Sequence, residues 1–212
     1  MTPEDTVAES PFVTIWEAPR ETVRRIVATD PRRHVNWLFF AAGVVGGLQG
    51  VPNWVEKTGI ALPILAAVLA CVVLGLISIP LGHMNAAYKR WVGSLLGGEA
   101  PRAAVAAVSA WSTIPMVVGQ GGIWLVQVVL YGRELMSPEH PTIDAAPRLV
   151  QTTFLLASVL FGLWTIVIAV AGFAEVNRFS IARSIATSIL AAVIMGVVLA
   201  AMVLLVVATL WR

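Results

Sequence analysis

Five apolar stretches, each long enough to cross a lipid bilayer, occupy most of this 212-residue chain. A hydrocarbon core about 30 Å thick requires roughly 20 predominantly apolar residues per helix. Little of the chain remains for a separate soluble domain. The sequence therefore predicts an all-α, polytopic integral membrane protein with a five-transmembrane-helix bundle over residues 34–212. The predicted spans lie near residues 35–54, 60–85, 103–132, 149–173 and 185–211.

The composition supports a membrane protein and argues against several functions. Charged residues make up 12% of the chain, about half the usual share in a soluble domain. The net charge is only +2 and no basic stripe alternates with aromatic residues, so we expect no nucleic-acid partner. No H-E-x-x-H, P-loop or G-x-S-x-G motif is present. We therefore expect no enzyme activity, no cofactor and no metal.

A polar loop of the sequence contains several possible metal ligands. Glu134, Glu139, His140 and Asp144 lie between the third and fourth predicted spans. Oxygen and nitrogen ligands of this kind could hold a divalent ion. Three prolines interrupt the loop, however, and a solvated loop is the better interpretation.

The distribution of lysine and arginine predicts the orientation of the bundle. Ten of these residues fall in the segment before the first span and in the connections between spans two and three and between spans four and five. Only four fall on the opposite side. Because positive residues accumulate in cytoplasmic loops, we expect the N-terminus in the cytoplasm and the C-terminus outside a bacterial inner membrane.

Residues 1–33 form a predicted cytoplasmic leader with an amphipathic helical pattern. Pro19 suits a first helical turn, and Pro31 should end the helix at Asp30. The helix could lie in the membrane interface, where arginines favour anionic headgroups, or it could pack against the cytoplasmic ends of the bundle. In the first arrangement the lipid contacts would come from Trp16, Arg20, Arg24 and Arg25.

Glycines in the first span predict close helix packing. Gly43 with Gly47, and Gly46 with Gly50, form two overlapping G-x-x-x-G pairs. This spacing lets a second helix backbone approach closely. The neighbour could be another helix of the same bundle, which we favour, or a second copy of the chain.

Polar residues inside and beside the spans are the candidates for a functional site. The third span carries a polar face with Gln120 and is interrupted by Pro115, so it either bonds neighbouring helices or lines a substrate path. Ionisable residues near span ends could face the bundle interior. The candidate cytoplasm-facing pocket comprises His83, Asn85, Gln120, Glu175 and Asn177.

Several motifs, in order along the chain, resemble bacterial members of the Yip-domain (Ypt/Rab-interacting protein) family. The resemblance extends from about residue 12 to the end. It rests on Trp16–Glu17–Ala18–Pro19–Arg20 with Asp30–Pro31–Arg32–Arg33, on His83 through Leu96–Gly97–Gly98, on Ser112–Thr113–Ile114–Pro115, and on Gly172 to Ser180 followed by Ala182 and Arg183.

The resemblance implies a five-span membrane protein with a cytoplasmic N-terminus, which agrees with the charge distribution. Eukaryotic relatives reside in early secretory membranes and associate with Rab-type GTPases and with one another. For a bacterial-type member we do not expect a Rab-type partner. The predicted function is a membrane scaffold or partner-binding protein that contacts lipids, itself or other membrane proteins. The alternative is a small transporter or lipid-handling protein that uses the polar face of the third helix.

Overall fold

The computed structural model describes residues 10–59, 63–136 and 146–210, and their regular structure is entirely helical. A short 3₁₀ helix, Gly132–Met136, follows the sixth helix. This confirms the predicted all-α class for the described part of the chain. The helices are α1 (Pro11–Glu17), α2 (Pro19–Thr29), α3 (Val35–Thr58), α4 (Ile64–Leu95), α5 (Arg102–Trp111), α6 (Ile114–Tyr131), α7 (Arg148–Asn177) and α8 (Ile181–Leu210).

Four of the described helical segments are long and apolar enough to cross a membrane: α4, α5 together with α6, α7 and α8. The predicted polytopic membrane protein is thus supported, but the count of five is not confirmed. α3 has 24 residues, yet its apolar part, Val35–Gly50, is shorter than a span requires. The apolar part is short because the helix continues after Gly50 into a more polar sequence that contains Asn53, Glu56 and Lys57.

Proline divides the third predicted span into two helices. α5 ends at Trp111 and α6 begins at Ile114, with Pro115 in its first turn. A proline has no N–H to donate to the carbonyl four residues earlier, and its ring crowds that carbonyl. Ser112 and Thr113 at the break instead donate their hydroxyls to backbone carbonyls within α5. In contrast, α6 continues without a break through the glycine-rich residues Gly119–Gly122.

The leader folds into two helices that pack on one end of the bundle. α2 begins at Pro19 and ends before Asp30, as the two prolines predict. The hydroxyl of Thr22 donates to that of Thr14 across 2.9 Å and joins α2 to α1. Ile15, Val23 and Ile26 are buried in the same apolar cluster as α5 and α7 residues. The leader helices therefore pack against the bundle, while lipid contacts of Trp16, Arg20, Arg24 and Arg25 stay a prediction.

The largest buried cluster lies at this leader end of the bundle, with α5 at its centre. Every side chain from Ala104 to Trp111 is buried, and α5 contacts α2, α3, α4 and α7. Many large apolar side chains elsewhere on α4, α7 and α8 are exposed. Exposed leucines and valines on long apolar helices are the expected surface against lipid chains.

The four glycines of α3 face two directions. A Cβ at Gly47 would lie 3.0 Å from the Cα of Cys71, and one at Gly43 would overlap Ser78 and the carbonyl oxygen of Leu74. These two glycines therefore lie against α4 in the close approach that G-x-x-x-G permits. A Cβ at Gly46 or Gly50 would meet no described atom within 4 Å.

This difference generates a matched pair of variants. We expect Gly47→Ile to destabilise the protein by about 1–3 kcal/mol, because the branched side chain would push α3 away from α4. Gly46→Ile places the same side chain one position earlier, where the chain leaves space. Thermal unfolding in detergent, followed by loss of the monodisperse peak, measures the difference.

The same two variants also test for a seam between copies. If Gly46 packs on a second chain, Gly46→Ile lowers the mass of the detergent-solubilised particle without changing its unfolding temperature. Equal destabilisation by the two substitutions would contradict the described α3–α4 packing.

Candidate functional site

The residues of the predicted pocket contact different partners in the structure. His83 forms a 2.7 Å hydrogen bond with the Oδ1 of Asn36, and Glu175 binds two leader arginines. Gln120 forms hydrogen bonds with residues of α3 and α7, and Asn85 is exposed. The described contacts do not join these residues into one pocket. His83 and Glu175, which the sequence analysis assigns to one candidate pocket, thus have different described partners.

Glu175 is the centre of an ionic contact between the leader and the bundle. Its Oε1 accepts from the Nε of Arg24 at 2.7 Å, and its Oε2 accepts from the Nε of Arg20 at 3.2 Å. The Glu175 side chain is 15% exposed, compared with 67% for Arg24. The hydrogen bond to Glu175 and its negative charge raise the pKa of Arg24. We call these three residues the clasp.

The clasp is set up by helix geometry at both ends. Arg20 and Arg24 are four residues apart on α2 and so lie on one face of that helix. Glu175 lies in the last turn of α7, which ends in a Schellman-type turn: the N–H of Phe179 donates to the carbonyl of Ala174 at 2.8 Å. Arg178 adopts the left-handed conformation (φ 55°) that this turn requires.

Asn177, two residues after Glu175, fixes the connection between α4 and α5. Its buried side chain accepts from the N–H of Ala100 at 3.3 Å and donates to the carbonyl of Phe173 at 3.0 Å. Arg90 donates to the carbonyl of Ala100 at 3.0 Å. A Cβ at Gly98 would overlap the Asn177 Oδ1, so this connection approaches the α7 end closely. The end of α7 thus joins the leader, α4 and α5.

The polar face of α6 is used for contacts between helices. The Gln120 side-chain oxygen accepts from Gln49 on α3 and from the Ser158 hydroxyl on α7, the latter at 3.3 Å. Gly119 allows close contact with the ring of Phe161. This arrangement corresponds to interhelical bonding, the first of the two interpretations of the third span.

Sequence reasoning identified Arg20, Arg24 and Glu175 but assigned them to different sites. The i, i+4 spacing of the two arginines indicates a pair that can bind one carboxylate together. Glu175 lies on the same predicted side of the membrane. That combination could have revealed the clasp. Asn36, the partner of His83, could not be identified in this way, because it lies at the start of the first predicted span and belongs to no recognisable motif.

No group of three potential metal-ligating side chains occurs within the described residues. Three of the four loop residues considered as ligands, Glu139, His140 and Asp144, lie outside the residues that the structure describes.

Removing the charge of Glu175 should release the leader. We expect Glu175→Gln to accelerate tryptic cleavage of the leader severalfold in the detergent-solubilised protein, because a neutral amide loses the charge that attracts both arginines and keeps only one of the two acceptor oxygens. Glu17→Gln is the control, since Glu17 is exposed on α1 and forms no described ion pair. Equal cleavage of wild-type and Glu175→Gln leaders would show that apolar packing alone holds α1 and α2.

Comparison with known proteins agrees with the resemblance in sequence. The Yip1 domain matches residues 13–202, a range that includes most of α1, all of α2 and nearly all of the bundle. No curated protein and no solved structure gives a significant match. Since the match covers most of the chain, from the leader to the last helix, this protein belongs to the Yip1 domain family.

Proposed function

We propose that this protein is a non-enzymatic membrane scaffold that binds partner proteins through its leader face, formed by α1, α2 and the end of α7. The observation that carries the proposal is the docking of the leader. Its apolar side packs on α5 and α7, while the clasp adds specific ionic contacts. In this arrangement the outer face of α2, which includes Glu21, is exposed and is available to contact a partner protein.

The polar residues of α6 support a scaffold over a transporter. Gln120 and Ser158 bond one another, and Gln120 also bonds Gln49. A substrate path needs polar groups that are free to bind the substrate, whereas these groups bind neighbouring helices. The transporter or lipid-handling alternative thus has less support from the described contacts.

We further propose five spans, with the N-terminus in the cytoplasm of a bacterial cell and the C-terminus outside its inner membrane. α3 would be the additional span. At 1.5 Å per residue the apolar part of α3, Val35–Gly50, extends about 24 Å, and the more polar residues 51–58 bring the helix to about 36 Å, enough to cross a hydrocarbon core of about 30 Å. Its internal polar residue Gln49 is bonded to Gln120, which reduces the cost of placing an amide in lipid.

Reporter fusions test this topology. A reporter after Arg212 should be active outside the cytoplasm, and one near Gly97 should be active inside. The ten-to-four distribution of positive residues motivates the expectation. Cytoplasmic activity of the fusion after Arg212 would contradict the five-span topology.

Charge exchange tests the scaffold role. We expect cross-linking in native membranes, followed by purification, to recover a specific protein with the wild-type chain. Glu175→Arg should lose that protein, because two arginines then face a third positive charge and the leader is displaced. The combination of Glu175→Arg with Arg20→Glu and Arg24→Glu should recover it by restoring attraction.

A control variant separates leader docking from bundle integrity. Gln120→Leu should leave the captured protein unchanged, because Gln120 lies in the bundle and not on the leader face. If capture survives Glu175→Arg but is lost with Gln120→Leu, the leader face is not the binding surface.

A further inference from the structure

A cavity of about 370 Å³ lies where the leader meets the start of α3 and the end of α5. Its volume falls within the range of small-molecule sites, roughly 300–1,000 Å³. Its lining includes the apolar side chains of Phe12 and Ile26. It also includes three basic residues, Arg25, Arg33 and His34. None of these three belongs to the clasp.

We propose that this cavity binds a phosphate group, carried either by a membrane lipid headgroup or by free phosphate. Arg25 and Arg33 supply two permanent positive charges and planar sets of N–H donors that match phosphate oxygens. Asp30 is the one carboxylate among the lining residues, and its Oδ1 accepts from the N–H of Arg32 at 2.9 Å. Two arginines against one carboxylate leave the lining with a net positive charge.

Trp111 also lines this cavity, and it carries a buried donor without an acceptor in the described structure. Trp111 is 2% exposed, and its indole Nε1 is buried with no hydrogen-bond partner in the described structure. A buried N–H left unpaired carries a desolvation cost that an acceptor removes. In this structure Nε1 itself has almost no accessible surface, so a bound phosphate oxygen would become its acceptor through a small rotation of the indole ring toward the cavity.

His34 is held beside the cavity in a strained conformation. Its backbone has φ 60°, a left-handed geometry that is unfavourable for most side chains. The Nε2 of its ring accepts from the Nε of Arg33 at 3.2 Å, which leaves Nδ1–H as a donor. The ring also lies near Phe12 and Trp111, with centroid separations of 5.7 and 6.2 Å. Strain of this kind is maintained by its surroundings and occurs preferentially at binding sites.

The position of the cavity suits a lipid headgroup. His34 directly precedes α3, so the cavity lies where the proposed first span enters the membrane. Headgroup phosphates are concentrated at that level, and positive side chains are attracted to it. This placement rests on the proposed first span, whereas binding of free phosphate does not.

Titration of the full-length, delipidated protein in a nonionic detergent tests the proposal. The probes are dihexanoyl phosphatidylglycerol, dihexanoylglycerol without the phosphate, and inorganic phosphate, each measured by calorimetry. We expect the phosphatidylglycerol to bind at least about tenfold more tightly than dihexanoylglycerol, and Arg25→Gln with Arg33→Gln to remove about that tenfold advantage. Parallel loss of inorganic phosphate binding would identify free phosphate as a ligand, and binding of the lipid alone would identify a headgroup.

Two matched controls distinguish a cavity from general surface charge. Arg32→Gln with Arg102→Gln removes the same number of charges from a neighbouring cavity and should leave binding unchanged. His34→Gly should weaken binding while relieving backbone strain, whereas Arg178→Gly relieves the other described non-glycine left-handed position and should not affect binding. Equal binding of the two lipids, unchanged binding in the Arg25/Arg33 variant, or equal weakening by the Arg32/Arg102 variant would overturn the proposal. None of these outcomes depends on partner capture.

Discussion

The burial of α5 is the constraint on which the rest of the structure depends. The helix is rich in alanine, and all of its side chains from Ala104 to Trp111 are buried. Small side chains allow α2, α3, α4 and α7 to approach it from different sides, so that dispersion contacts between closely packed side chains hold the helices together. The neighbouring glycine Gly172 follows the same rule, since a Cβ there would lie 3.0 Å from Val108.

The short length of α5 follows from a proline. A continuous 30-residue helix would carry a straight apolar surface through the bundle, but Pro115 interrupts the hydrogen-bond ladder near Ser112 and Thr113. The buried helix therefore lies at the leader end, and α6 continues beyond it toward α3 and α7. The fold thus separates a packed end, which contains the leader, from a remaining part whose apolar side chains face outward.

Much of this fold could be predicted from the sequence, because apolar length and proline position are local properties. The α2 boundaries follow from Pro19 and Pro31, and the α5–α6 break lies next to Pro115. The candidate site was less predictable, because it depends on which helices are neighbours. Glu175 and His83 share a predicted membrane side, yet one meets α2 and the other meets α3. Glycine spacing likewise indicated close packing without showing that Gly47 faces α4 while Gly46 does not.

The last helix, α8, is packed against the rest of the described structure at only one of its ends. Buried side chains on α8 occur only in its first turns, at Ser184, Thr187 and Ala191, and every later described residue is exposed or half-buried through Thr209. Its 30 residues extend about 45 Å, well beyond a hydrocarbon core of about 30 Å. Such an excess is accommodated by tilting or by local thickening of the bilayer. Because only one end of α8 is packed, a change in bilayer thickness can alter its tilt while the α5 core and the docked leader stay intact.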